Sequence, residues 1–338
     1  MPIRRLRHRF RVALVALSLL PAAVAAEAGA APPAPDRQIP LWPGTPPGSE
    51  GLDLPQRIVE RSSDPALPDR YVDGVARPWL DVYRPARPDG RALLVLPGGG
   101  YQRVVLDKEG TALLPAFAGQ AGLTLFVLQY RLPGEGHANP RDVPLADAQR
   151  AMRLVRSQAR EWGIDPASVG VMGFSAGGHL AASLATRHHE RVYAPVDAAD
   201  GLDARPAYAV LVYPVIDMGA HAHPGSRQKL LGDEPDADAV RMYSAQNRVD
   251  AHTPPVFLLH AQDDDVVPVE NSLLFEAALR AAGIEHETHL YAKGGHGFGV
   301  RGAHGTLALW PTLAVEWIRA HAPLPAAPGA TDNEPARE

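Results

Sequence analysis

The sequence predicts an α/β fold: a mainly parallel sheet with helices on both faces. Three observations predict it. Short, mostly apolar runs such as Arg91–Leu96, Leu123–Gln129 and Val256–Ala261 have the length and branched-residue content of strands buried on both sides. Stretches of helical period alternate with them; in Leu145–Trp162, Ala148, Met152, Val155 and Ala159 fall on one face. The chemically distinctive residues follow the strands directly, and open α/β sheets gather their chemistry at those carboxyl ends.

In chain order, Arg4, Arg5, Arg7, Arg9 and Arg11 form a basic head. Val12–Leu20 is an apolar run too short to span a membrane, and Ala23-Val24-Ala25 has the small side chains of a cleavage site. Residues 1–26 therefore read as a signal peptide, which predicts a periplasmic or secreted protein without stable membrane insertion after cleavage. The Arg4-Arg5 pair fits a twin-arginine signal poorly. Residues 27–51, rich in Pro, Ala and Gly, read as an arm without a core of its own. The main domain is expected over 52–322. It opens with strands at Arg57–Arg61 and Leu80–Tyr83, followed by the strand Arg91–Leu96, a helix over Lys108–Ala118 and the strand Leu123–Gln129. After the helix Leu145–Trp162 comes a strand at Ser168–Met172, and after that a helix starting at Ser175. Further strands are expected at Ala207–Tyr213, Val256–Ala261 and Glu285–Tyr291, and helices at Val269–Ala282 and Thr306–Ala320. Residues 214–253 have no strong period and read as an insertion able to fold over the site; 323–338 read as a disordered tail.

Composition narrows the function. A formal net charge of −5, with no basic face beyond the first dozen residues, argues against a nucleic-acid partner. The chain has no cysteine, which removes disulfides and thiol nucleophiles, and its 46% hydrophobic content is ample for a core.

The chemistry centres on Gly173-Phe174-Ser175-Ala176-Gly177, which lies between a buried strand and a helix. A serine in so tight a turn is held exposed, with glycines where side chains would collide, and the new helix aims its free N–H groups at it. A serine hydroxyl needs a base, and the base needs an orienting acid. Among 14 histidines, His296 follows the last strand within Gly294-Gly295-His296-Gly297-Phe298-Gly299, where glycines let a loop present an imidazole closely. His188, His189, His221, His223, His286 and His289 read as surface or structural. The His221-Ala222-His223 spacing lacks the carboxylates of a metal site, and no metal or cofactor is expected. For the acid, Asp264 in Asp263-Asp264-Asp265 follows Val256–Ala261, and serine–acid–histidine is the order that accompanies such an elbow. Asp217 is the reserve. Oxyanion donors are expected from the backbone of Gly99, Gly100 and Ala176, and Tyr101 is a candidate floor for a sugar or, equally, a plain packing residue.

These residues resemble the α/β-hydrolase superfamily, and more narrowly its carbohydrate-esterase-like branch of bacterial acetylxylan, acetyl and feruloyl esterases. The matching blocks are PGGGY (Pro97–Tyr101), KEG (Lys108–Gly110), YRLP (Tyr130–Pro133), DAQRAMRLVR (Asp147–Arg156), WGIDP, VGVMGFSAGGHLA, TPPVFLLHAQDDDVVPVENS (Thr253–Ser272) and KGGHGFG, spanning Leu93–Gly299. The resemblance implies Ser175 as nucleophile, Asp264 as acid and His296 as base. It also implies an ester substrate of small-molecule or oligosaccharide type, with acetylated xylan fragments foremost. Pro97 departs from the pattern, since many relatives carry histidine before the glycines; this bears on the detail of the oxyanion loop only. The rival expectations are a feruloyl or broad carboxylesterase, a serine peptidase of the prolyl-oligopeptidase type, and a non-catalytic module on a hydrolase scaffold.

Overall fold

The computed structural model describes residues 32–322 and Leu324; the expected signal peptide and nearly all of the expected tail lie outside the described residues. The centre is a sheet of eight strands among those residues. Five of them, β5 (Ala92–Leu96), β7 (Thr124–Gln129), β8 (Val169–Phe174), β9 (Ala209–Val212) and β10 (Val256–Ala261), are buried at every position. With β1 (Arg37–Pro40), β4 (Trp79–Tyr83) and β11 (His286–Tyr291), the order is β1-β4-β7-β5-β8-β9-β10-β11. Pairing is parallel from β7 through β11 and antiparallel at β1–β4 and β4–β7. The all-apolar strands are thus the central ones, where helices cover both faces.

On one face pack α1 (Val143–Ser157), α3 (Ser175–Arg187) and α6 (Glu270–Ala281), through Leu145, Met152, Leu180 and Phe275. The other face is covered by a segment at Leu114–Gln120 and by α7 (Trp310–His321), through Phe117, Trp310, Trp317 and Ile318. The helix expected over Lys108–Ala118 is instead a 3₁₀ turn at Thr111–Leu113 running into a π-helix, whose Ala121 N–H reaches back to Ala116. Pro115 has no N–H to give to an α-helical ladder there. The expected long helix divides at Gln158 into α1 and a single turn, α2 (Ala159–Trp162), which ends on Gly163 in the left-handed conformation.

Two expectations are corrected. Within the arm, β1 pairs with β4 in the main sheet and Leu41 and Trp42 are buried, so this stretch joins the domain's core. The opening strand near Arg57 does not join the main sheet: β2 (Arg57–Glu60), β3 (Arg70–Asp73) and β6 (Val104–Val105) form a separate antiparallel sheet. Residues 214–253 fold as α4 (Pro224–Leu231) and α5 (Ala237–Tyr243), anchored by buried Leu230, Leu231 and Ala239. No helix among the described residues is long and apolar enough to cross a membrane.

Candidate active site

Parallel strands put their carboxyl ends along one edge of the sheet, and the candidate residues follow those ends. Gly98–Gly100 follow β5, Ser175 follows β8, Asp264 follows β10 and His296 follows β11. Ser175 has φ +52°, a left-handed conformation unfavourable for a side-chain-bearing residue. The turn is tight enough to exclude side chains at its flanks. A Cβ on Gly173 would lie 2.6 Å from Ala181 Cβ, and one on Gly177 would overlap the carbonyls of Leu96 and Pro97.

The three side chains meet. Ser175 Oγ lies 2.9 Å from His296 Nε2, and His296 Nδ1 lies 2.7 Å from Asp264 Oδ2. Asp264 is held in turn: its Oδ1 accepts the N–H groups of Val266 (3.0 Å) and Val267 (2.9 Å). Burial alone would raise its pKa, but the hydrogen bonds from His260 and His296, the His296 charge and the Val267 amide outweigh it. The carboxyl is held well below the usual range. An ionised Asp264 accepts, so His296 carries its proton on Nδ1 and turns the lone pair of Nε2 to the serine. Asp263, its neighbour, accepts from the N–H groups of Gly294 (2.8 Å) and Gly295 (2.9 Å) and so ties down the loop that presents His296.

Beside Ser175 the loop after β5 passes through left-handed Gly99 and Gly100, φ +135° and +66°. The N–H groups of Gly99, Gly100 and Ala176 have no acceptor among the described residues. They are therefore free to receive an oxyanion. Gly99 and Gly100 border a cleft of about 360 Å³ whose lining also includes Ser175, His223 and His296. No cluster of metal-ligating side chains occurs among the described residues.

Residues 80–279 match the BD-FAE family. The chain belongs to that family. Its fold is the α/β-hydrolase fold. The chain is 38% identical over 232 residues to an acetylxylan esterase of Xylanibacter ruminicola, across 67% of this chain and 44% of the relative. It is 36% identical over 208 residues to endo-1,4-beta-xylanase B of Butyrivibrio fibrisolvens, across 62% of this chain and 32% of the relative. The chain thus spans less than half the length of these curated relatives. Among solved structures it is similar to an acetyl ester-xyloside bifunctional hydrolase from Caldicellulosiruptor lactoaceticus. That similarity has a TM-score of 0.68 and 35% identity, and covers 85% of this chain and 97% of the other.

Three further residues of this BD-FAE chain take structural places. Tyr101 is buried, and its hydroxyl lies 2.8 Å from His179 Nδ1, so it packs behind the glycine loop and offers no floor to a sugar. His223, expected to be surface or structural, has a structural role: its Nδ1 lies 2.8 Å from Ser226 Oγ and caps the first turn of α4, and the residue also lines the cleft. Asp217 is far from the acid's role: it accepts from Gln246 Nε2 (2.9 Å) and from the His221 amide (2.9 Å), fastening residues 214–253.

Sequence reasoning missed two buried groups. His260, on β10, donates Nε2–H toward Asp264 Oδ2 (3.1 Å) and Val267 O (3.0 Å), while its Nδ1 lies 2.7 Å from Ser272 Oγ. A lone histidine in the apolar run Val256–Ala261 was the available signal. Glu109 accepts from Gly98 N–H (2.7 Å) and from Tyr213 Oη (3.0 Å). Burial pushes its pKa up, against the lowering effect of those two donors and of the His296 and Lys108 charges. The KEG block marked its position without indicating its partners.

Proposed function

We propose that this BD-FAE chain is an exported serine esterase that removes acetyl groups from plant-wall oligosaccharides such as acetylated xylan fragments. The observation that carries the reading is the continuous Ser175–His296–Asp264 contact beside three unoccupied backbone N–H groups. The xylan-related relatives support the acetyl and saccharide parts. The basic head and apolar run at residues 4–20 support export.

In this mechanism His296 Nε2 takes the Ser175 proton as Oγ bonds to the ester carbonyl carbon. Asp264 stabilises the imidazolium and keeps the ring in its tautomer. The carbonyl oxygen becomes an oxyanion and accepts from the Gly99, Gly100 and Ala176 amides; one such donor typically contributes ~3–4 kcal/mol to the transition state. Collapse breaks the bond to the sugar oxygen, which takes the proton from His296. Water, deprotonated by His296, then attacks the acetyl-enzyme, releasing acetate and restoring Ser175.

The test is a series of acetyl, butyryl, feruloyl and aminoacyl-amide substrates together with acetylated xylo-oligosaccharides, assayed on wild type and Ser175→Ala. Wild type is expected to favour acetyl esters and to deacetylate the saccharides. Ser175→Ala is expected to lose activity by roughly 10⁴ or more while melting normally. Retained turnover in that variant overturns the mechanism; preference for feruloyl or amide substrates overturns the substrate.

A further inference from the structure

One wall of the cleft is cationic. Arg61, just after β2, Arg103, just before β6, and Lys108 all line it, in the loops that bound the strands of the small sheet. Tyr71 on β3 carries both guanidiniums: Arg61 Cζ lies 5.7 Å and Arg103 Cζ 5.1 Å from its ring centroid. Cation–π contacts of this kind fix where a guanidinium points. The two arginines differ in their remaining partners. Arg61 Nη2 lies 2.6 Å from Asp69 Oδ1, and its Nε donates to the Asp69 carbonyl. Among the described residues no carboxylate pairs with Arg103 or with Lys108. Arg103 Nε is moreover shielded from solvent without any acceptor.

The acids nearby are not available to supply that acceptor. Both Glu109 oxygens are taken by Gly98 N–H and Tyr213, and Asp264 is enclosed by His296, His260 and two amides. Asp265 is exposed beside Val266 but does not line the cleft. Arg103 also sits close to the reacting centre: its Cγ packs where a Cβ on Gly99 would come within 2.9 Å. A planar guanidinium and an ammonium that line one cleft without carboxylate partners fit a carboxylate better than a hydroxyl.

Resting on the esterase reading above, we propose that Arg103 and Lys108 form an anion subsite beside Ser175. The subsite binds the carboxylate of a uronic-acid branch on the acetylated oligosaccharide, so acidic xylo-oligosaccharide esters are the preferred substrates. The test compares kcat/KM for two acetylated xylo-oligosaccharides of equal length, one neutral and one carrying a single glucuronic acid branch. Wild type, Arg103→Gln and Lys108→Gln are assayed at low salt and at about 0.5 M NaCl. Wild type is expected to favour the acidic ester by about two- to fivefold through KM, the scale of one partly exposed charge pair. Either substitution, and high salt acting on wild type, is expected to bring the ratio toward one. Equal turnover of the two saccharides by wild type overturns the subsite and leaves the esterase reading intact, as does a preference that survives both substitutions and high salt. Turnover of 4-nitrophenyl acetate with neither saccharide accepted overturns the saccharide reading, and the subsite with it. The salt arm needs no variant, so misfolding of Arg103→Gln would not leave the question open.

Discussion

Tyr213 joins the two loops that flank Ser175 through its contact with Glu109. Its hydroxyl donates to Glu109 Oε1 across 3.0 Å and accepts the Gly299 N–H across 3.1 Å, while the other Glu109 oxygen holds Gly98 N–H at 2.7 Å. The Tyr213 ring also meets the His296 ring edge-on, with centroids 5.1 Å apart. One buried phenol and one buried carboxylate thus link the start of the oxyanion loop to the end of the histidine loop. Such a link matters because displacement of a catalytic group by even 1 Å weakens an oriented reaction.

Tyr213→Phe deletes the hydroxyl and leaves two buried groups, Glu109 Oε1 and Gly299 N–H, without their partner. The expected cost is ~1–3 kcal/mol of stability. Because Tyr213 touches His296 rather than substrate, kcat is expected to fall by about 10- to 100-fold with KM little changed. Denaturant melts and steady-state kinetics on an acetyl ester check both. An unaltered kcat in a folded Tyr213→Phe protein removes Tyr213 as a positioning residue.

His260 shares Asp264 Oδ2 with His296 from the buried interior of β10. His260→Phe keeps an apolar ring in the strand but takes a donor from Asp264 and a partner from Ser272 Oγ. Stability is expected to drop by ~2–4 kcal/mol, the range for breaking a buried polar network. The Asp264 carboxyl, with one donor fewer, is expected to titrate at higher pH than in wild type. Carboxyl-resolved NMR titration reads that shift directly, and an unmoved Asp264 would show that the His260 contact is incidental.

What was legible in the sequence follows from how local each signal is. Gly173-Phe174-Ser175-Ala176-Gly177 and the glycines around His296 announce their own geometry, because only glycine tolerates the close approaches and left-handed turns found there. The central strands were legible because burial on both faces demands unbroken apolar runs. The edge was not: Arg37–Pro40 reads as a polar stretch among prolines and becomes a strand only through β4. Of the small sheet only β2 was legible, since the four residues of β3 and the two of β6 are too short to announce a period. Glu109 and Tyr213 act through each other, and no local pattern encodes a contact 104 positions distant; the partners of His260 lie within 12 positions, but its inward turn onto Asp264 depends on how the loop after β10 folds back. Tyr101 stayed undecided between sugar floor and packing residue for the converse reason: its place beside the glycines was visible, whereas its turn inward onto His179 depends on α3 packing.

Acid stability provides an independent check on Asp264. Its folded-state pKa lies below the ordinary value of 3.8. The group therefore contributes stability in full above about pH 4, and the contribution is lost as pH falls through the ordinary value toward the depressed one. Asp264→Asn removes this single titration. The variant is expected to be less stable than wild type at pH 7, with the gap closing by up to ~1.4 kcal/mol per pH unit between about pH 4 and 2. Urea melts across that range measure it. A gap that stays constant on acidification would mean that Asp264 is not held ionised by its neighbours.

Gly98 tests whether the nucleophile, the oxyanion loop and the buried carboxylate act as one packed unit. A Cβ there would lie 2.7 Å from Phe174 O, 2.8 Å from Glu109 Oε2 and 2.9 Å from Ser175 Cβ. Two of these atoms belong to the strand and elbow that place Ser175, and the third is the carboxylate oxygen that receives Gly98 N–H. None is the free end of a flexible chain, so the backbone around the elbow must shift. Gly98→Ala is expected to reduce kcat on acetyl esters by about 100-fold or more, the scale set by misplacing a catalytic geometry by roughly 1 Å. The overpacking itself is expected to cost ~1–3 kcal/mol of stability. The comparison of interest is with Gly44→Ala, where a Cβ meets no atom within 4 Å and both quantities should stay near wild type. If Gly98→Ala loses stability and keeps its kcat, the elbow tolerates movement of the loop, and the amides of Gly99 and Gly100 are not held in place through Gly98.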